Sequence, residues 1–285
     1  MSDTLDLDHL RQWIGRTEEA SDIVTAQLVR ALRATLFMEP GAPKPGDAAP
    51  LTAHWCLAQP VAAMSALGPD GHPARGGFLP PVPLPRRMWA GGKLEFVDRI
   101  CVGDEVTRSS KIADVALKSG SSGALCFVTV EHTVSTRRGI ATRERQDIVY
   151  RDPPPPAKSQ LASAAADVTP PGALHRSHMA DPVLLFRYSA LTFNGHRIHY
   201  DREYAIGIEG YPGLVFHGPL QATLLVEFAA EQRGGKMPKS FSYRGVQPLF
   251  DGAPFSINAN EKDGELDMWV ANAHGTPTMK AVASF

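Results

Sequence analysis

The sequence predicts an α+β fold in which antiparallel strands wrap a buried helix, with one such unit in each half of the chain. Three observations carry this. Residues 218–233 form the longest apolar helix signal in the chain, and the apolar positions run nearly all round the helix axis. Such a helix must be covered on most sides. Strand-like segments at 93–98, 104–118, 124–136 and 140–150 come before it, and four more, at 239–250, 254–262, 265–274 and 276–285, come after it. Between the two sets lies a run with four consecutive prolines followed by small residues, 151–171, a linker composition.

Taken in order, residues 4–16 and 21–37 read as helices. In the second, Ile23, Ala26, Leu28, Val29, Leu32 and Leu36 make a helical stripe, and Pro40-Gly41 ends it. It is the candidate counterpart of the central helix in the first half. Residues 40–92 are rich in Pro and Gly and lack periodicity. Their apolar residues, with His54-Trp55 and Phe78-Leu79-Pro80-Pro81, predict an ordered wall rather than a linker. In 124–136, Val128, Val130, His132 and Val134 alternate with Thr129, Glu131 and Thr133, the pattern of a half-buried antiparallel strand. Phe186–Phe193 is short, aromatic and β-branched at its end, and reads as a strand. Pro219 suits the first turn of the apolar helix and Gly234-Gly235 its stop. Asp251-Gly252, Asp263-Gly264 and His274-Gly275 supply turns between the last strands. The expected organisation is an N-terminal unit over 1–150, the linker over 151–171 and a C-terminal unit over 172–285.

Composition excludes several classes of function. A net charge of −1 over 285 residues gives no overall electrostatic case for nucleic acid or a membrane surface. No apolar run approaches the ~20 residues of a membrane span. The three cysteines, Cys56, Cys101 and Cys126, show no Cys-x-x-Cys spacing and fit buried thiols in a reducing compartment. With the polar, acidic start MSDTLDLDHL, this predicts a cytoplasmic protein. No Gly-rich phosphate loop follows a strand, so neither nicotinamide nor flavin is implied, and no cofactor is expected. A Gly-x-Ser-x-Gly nucleophile elbow is absent.

The chemistry concentrates in 186–222. Asn194-Gly195-His196-Arg197-Ile198-His199 is polar yet lies between segments that must be buried, so its side chains need partners from the protein or a ligand. Together with Tyr200-Asp201 and the later Val215-Phe216-His217-Gly218, it resembles the MaoC-like hydratase/dehydratase family of hot-dog folds. The wording is similar to a two-domain branch: the hydratases of itaconyl-CoA and mesaconyl-CoA and the mitochondrial-type 3-hydroxyacyl-thioester dehydratases. The resemblance implies a double hot dog, each sheet wrapped around a helix. It makes the N-terminal unit a degenerate hot dog and the C-terminal one catalytic. It also implies an acyl-CoA thioester as substrate and a homodimer.

Adding water to a double bond conjugated to a thioester requires a base for water, an acid for the α-carbon and a donor for the enolate oxygen. A histidine suits the first two roles, and the resemblance assigns them to His199. A backbone N–H at a helix N-terminus suits the third, and the resemblance places Gly218 there. The family pattern Gly-Asp-x-Asn-Pro-(Ile/Leu)-His reads here Phe193-Asn194-Gly195-His196-Arg197-Ile198-His199. The usual aspartate is therefore Asn194, which can hold a water but cannot act as a base. Asp201 and Glu209 are the nearest carboxylates that could replace it. His196, Arg197 and His217 are candidate substrate-binding residues, though His196 could equally prop the loop and His217 could serve only where the helix begins. Arg197 is the candidate clamp for a second substrate carboxylate, with Arg187 and Arg244 as rivals. His196, His199, Asp201 and His217 are zinc-ligand types, but not at a known ligand spacing, so no metal is expected.

The expected activity is hydration of a short, branched, dicarboxylic enoyl-CoA, itaconyl-CoA or mesaconyl-C4-CoA, to citramalyl-CoA. Alternatives are a straight-chain 3-hydroxyacyl-thioester dehydratase and an inactive acyl-thioester-binding protein. A thioesterase is weaker, because it normally needs a carboxylate to activate water.

Overall fold

The computed structural model describes residues 5–120, 123–152 and 168–285. Its ten strands are β1 Thr17–Ile23, β2 Arg86–Phe96, β3 Glu105–Gly120, β4 Gly123–Thr136, β5 Gly139–Arg151, β6 Leu174–Met179, β7 Ser240–Gly245, β8 Pro254–Lys262, β9 Glu265–Ala271 and β10 Pro277–Ser284. They form one antiparallel sheet in the order β1-β3-β4-β5-β2-β7-β10-β9-β8-β6. The expected halves thus share a sheet, joined where Gly91–Glu95 of β2 pair with Ser240–Arg244 of β7. The proposed linker lies mostly in 153–167, outside the described residues.

The helices are α1 Leu7–Arg11, α2 Ala26–Thr35, α3 Pro182–Leu191, α4 Arg202–Gly207 and α5 Gly218–Glu231. The apolar helix predicted over 218–233 is α5, buried along nearly its whole length among β2, β7, β8, β9 and β10. Its polar side chains are satisfied inside the core, as buried polar groups must be. The Thr278 hydroxyl donates to Gln221 (2.7 Å), Thr223 bonds Thr52 (2.8 Å), and the Glu227 carboxylate accepts from the Leu51 N–H. The shorter α2 is capped by Thr25, which accepts from Leu28 N–H, and packs on α3.

The structure corrects three readings. Phe186–Phe193 is not a strand: Phe186–Leu191 is the C-terminal half of α3, and Thr192-Phe193 is the turn that follows it. Asp181 caps that helix by accepting from Val183 N–H, and Pro182 occupies its first position, a start signal that lies ahead of the apolar run. The first helix covers only 7–11. The expected helix over 21–37 begins at Ala26, because Thr17–Ile23 is the edge strand β1, too polar and exposed to show alternation. The Pro/Gly-rich stretch expected over 40–92 is an ordered wall only as far as 85, where Ala53, Leu57 and Val82 are buried, while 86–92 already belong to β2. Cys56 and Cys126 are buried and Cys101 half-buried, all three free. Among the described residues no helix is long and apolar enough to cross a membrane.

Burial raises the Glu227 carboxyl from its ordinary 4.5 to about 7. A folded-state pKa above the unfolded one means the native state binds the extra proton. The stability from this group is therefore full below ~4.5 and is lost as pH rises through about 7. Glu227→Gln keeps an acceptor for Leu51 without the buried charge. Its melting temperature should exceed that of the unaltered protein more at pH 8 than at pH 5. An equal difference at both pH values would refute the buried-charge account.

Candidate active site

The functional stretch leaves the end of α3, turns twice and runs into α5. Asn194 N–H donates to the Ser189 carbonyl (2.8 Å), ending α3, with Phe193 at φ 48°. The Asn194 side-chain oxygen accepts from His196 N–H (3.0 Å), which folds the next turn, a 3-10 helix at Arg197–His199. That turn carries the His199 side chain into the protein. Its Nδ1 lies 2.7 Å from the Val215 carbonyl oxygen, and Val215 N–H donates back to Ile198 O (2.9 Å). A carbonyl only accepts, so Nδ1 carries the hydrogen and Nε2 keeps its lone pair. Burial lowers the His199 pKa from 6.5 to about 4 despite that carbonyl, so the ring is neutral at neutral pH.

The other two histidines pack around it. The His217 ring stacks on His199 at 3.6 Å, and its Nε2 is 2.9 Å from the Ser189 hydroxyl. His196 stands perpendicular to His199 at 5.3 Å. Burial, aided by neighbouring histidines, pushes both well below the ordinary histidine value. Gly218 is the first residue of α5 and lines the cavity; a Cβ there would find nothing nearer than the Trp89 carbonyl oxygen at 3.8 Å. The helix's first turn therefore meets the cavity with room for an atom that could accept its N–H donors.

Arg197 has a different task from the one expected. Its Nε and Nη2 both donate to Asp201 (3.0 and 2.8 Å), Nη1 donates to the Pro69 carbonyl (3.1 Å), and the guanidinium lies 4.1 Å above the Tyr204 ring. Asp201 also caps α4 by accepting from Tyr204 N–H. Arg197 and Asp201 thus lock the turn, and Asp201 is not free to replace the aspartate. Glu209 is likewise paired, with Arg86 at 3.1 Å. Arg187 and Arg244 are exposed and do not line the cavity.

The sequence did not disclose the carboxylate that does approach the histidines. Residues 69–72, from the long N-terminal loop, dock on the turn: Arg197 N–H donates to Asp70 O (2.9 Å). A Cβ on Gly71, at φ +86°, would overlap the Gly195 carbonyl, so the two glycines permit this backbone approach. The docked loop sets the His72 ring 4.1 Å from that of His196, with His72 Nδ1 3.0 Å from Asp70. Burial alone would raise the Asp70 carboxyl, but the His72 hydrogen bond and neighbouring histidine charge hold it below the usual carboxylate range. Asp70, His72 and His196 bring one ligand-type atom each within 4.8 Å of one another. This two-histidine, one-carboxylate set differs from the His196, His199, Asp201 and His217 set weighed from the sequence.

These residues line a cavity of about 1430 Å³ whose wall includes β4 and β5. On β5 the buried Glu144 carboxylate accepts from Trp55 Nε1 (3.0 Å) and faces His54 Nε2 at 3.2 Å. A buried acid paired to a loop His-Trp was also missed, since its partners lie 90 and 89 residues away.

Comparison with known proteins bears on the family and the fold. Residues 52–251 match the family model "Hydroxyacyl-thioester dehydratase type 2". The chain is 43% identical, over 94% of its length and 95% of the relative's, to the mesaconyl-C(4)-CoA hydratase of Chloroflexus aurantiacus. Among solved structures, a MaoC-like dehydratase superposes with a TM-score of 0.70 at 16% identity, covering 96% of this chain and 98% of its own. A Mycobacterium tuberculosis protein described as a double hotdog fold superposes at 0.55, with 14% identity and 95% of each chain covered. The fold is therefore α+β of the double hot-dog type.

Gly71→Ala should undock the 69–72 loop without unfolding the core. Thioester turnover should fall by about 10²-fold, with the melting temperature shifted by only a few degrees. Full turnover in the variant would show that the loop takes no part in the site.

Proposed function

The chain belongs to the hydroxyacyl-thioester dehydratase type 2 family, and from that premise we propose that it hydrates a short, branched, dicarboxylic enoyl-CoA, with His199 as the acid/base. It is a hydro-lyase acting on acyl-CoA thioesters. The observation that carries the mechanism is the neutral His199 ring, with Nδ1 tied to the Val215 carbonyl, beside the first turn of α5.

In this mechanism Nε2 takes a proton from water as the water oxygen bonds to the β-carbon. The electron pair of the double bond moves to the α-carbon and thioester carbonyl, giving an enolate. The oxygen of that enolate is held by Gly218 N–H and the positive end of α5. The imidazolium then returns a proton to the α-carbon, so the product gains one H and one OH and His199 is neutral again. Burial favours the second transfer, because the charged ring is unstable in its pocket. Asn194 has committed its oxygen to His196 N–H, which leaves its NH₂ to orient water or substrate. The identity to a mesaconyl-C(4)-CoA hydratase across nearly the whole chain supports the dicarboxylic substrate. The cavity volume favours a second reading, a straight-chain 3-hydroxyacyl thioester, since about 1430 Å³ exceeds the needs of a five-carbon acyl group.

Mass spectrometry on mesaconyl-C4-CoA, itaconyl-CoA and crotonyl-CoA separates these readings. An 18 Da gain on the dicarboxylic thioesters is expected, and a gain on crotonyl-CoA alone would favour the straight-chain reading. His199→Gln should lower turnover by at least ~10²-fold in a folded protein. Undiminished turnover would eliminate His199 as the acid/base.

A further inference from the structure

Arg197, the sequence candidate for a carboxylate clamp, is spent on Asp201, so a dicarboxylic substrate needs another cation. Six arginines line the cavity: Arg75, Arg86, Arg87, Arg108, Arg151 and Arg197. Arg86 pairs with Glu209 at 3.1 Å and Arg108 faces Glu18 at 3.8 Å. Arg75 directs two nitrogens at the carbonyls of Val82 and Pro85, both at 2.7 Å, and braces that loop. The lining carboxylates are matched too: Asp70 by His72, and Glu144 by Trp55 and His54. Among the described residues only Arg87 and Arg151 then lack a carboxylate or carbonyl partner with a stated role in the wall. The Arg151 charge acts on Tyr211, on whose ring Arg86 also rests, so it belongs to the 209–211 side of the cavity.

Arg87 lines the same cavity as the histidines. On β2 it is the direct cross-strand partner of Tyr150 on β5, so the two side chains share one face of the sheet, and Tyr150 is buried. Its charge acts on both His72 and His196, and the His196 ring is 5.3 Å from His199. In a short dicarboxylic enoyl thioester the free carboxylate lies on or next to the double bond. Its partner must therefore stand close to the group that handles water.

We propose that Arg87, flanked by Tyr150, is the binding site for the free carboxylate of the substrate. The inference rests on the dicarboxylic reading above. A guanidinium presents five donors in a planar fork, which matches the two oxygens of a carboxylate. The same contact places the double bond toward His199 and selects against acyl groups without a second acid. Tyr150 flanks Arg87 on the same face of the sheet, and a lysine with a single ammonium would not reproduce the fork.

The test compares the unaltered protein with Arg87→Met and Arg87→Lys on mesaconyl-C4-CoA and crotonyl-CoA. Inhibition by two unreactive thioesters, succinyl-CoA and butyryl-CoA, is measured alongside. In Arg87→Met, kcat/KM on mesaconyl-C4-CoA should fall by ~10²-fold or more, while hydration of crotonyl-CoA changes by less than about 3-fold. Succinyl-CoA should inhibit the unaltered protein better than butyryl-CoA, and the variant should reverse that order. Arg87→Lys should recover only part of the loss; if Arg87→Met does not fold, Arg87→Lys is read by the same inhibitor preference. An unaltered protein that favours the dicarboxylic thioesters together with a variant that keeps the preference overturns the Arg87 assignment alone. Equal losses on both substrates also overturn it. An unaltered protein that hydrates crotonyl-CoA but not mesaconyl-C4-CoA overturns the substrate reading and the clamp with it.

Discussion

The exchange of hydrogen bonds between Val215 and the Ile198-His199 pair ties the site to the fold. Val215 donates to Ile198 O and accepts from His199 Nδ1. The next residue, Phe216, donates to Leu249 O, and His217 then opens the buried helix α5. One short segment thereby fixes the tautomer of His199, the position of the helix N-terminus and the attachment of both to the sheet. The two groups to which the proposed mechanism gives neighbouring atoms of one substrate are set by adjacent backbone rather than by long side chains, which is what positioning demands of a site. The stacked His217 and perpendicular His196 pack against the ring, which is buried. Burial then keeps the imidazole neutral and its Nε2 available.

The replacement of an acid by Asn194 finds a physical counterpart in the long N-terminal loop. Asn194 shapes the turn by accepting from His196, a role an amide fills without adding charge among buried histidines. The nearest carboxylate, Asp70, reaches the cluster through His72 and is kept there by the contact of Gly71 with Gly195. The N-terminal half of the sheet thus supplies more than a scaffold. Its strands and its 40–85 loop line the cavity, and one of its carboxylates faces the histidines contributed by the C-terminal half.

How much of this the sequence disclosed follows from what each element has to do. The helix α5 is apolar all round because it is covered all round, and Pro219 and Gly234 mark its ends, so it reads correctly. β4 alternates because one face is wet. β1 is a polar edge strand and leaves no periodic trace; α3 packs one face only, and its start lies in the Asp181-Pro182 pair ahead of the apolar run that suggested a strand. In the site, the local residues Asn194, His196, His199, His217 and Gly218 line one cavity. The long-range partners do not show in the chain: Pro69 meets Arg197 across 128 residues, and Glu144 meets His54 across 90. The one legible hint was an Asp-Gly-His triplet inside an ordered loop without periodicity. Arg197 was misassigned for the opposite reason: its nearest partner, Asp201, is four residues away and uses up its fork.

The account turns on His199 being a neutral imidazole with hydrogen on Nδ1 and a free Nε2. ¹⁵N-edited NMR of histidine-labelled protein, with His199 assigned by its loss in His199→Gln, reads both tautomer and pKa. The account predicts an Nδ1–H ring that stays neutral through pH 6 and titrates near 4. An Nε2–H tautomer, or titration at or above the ordinary 6.5, would contradict it.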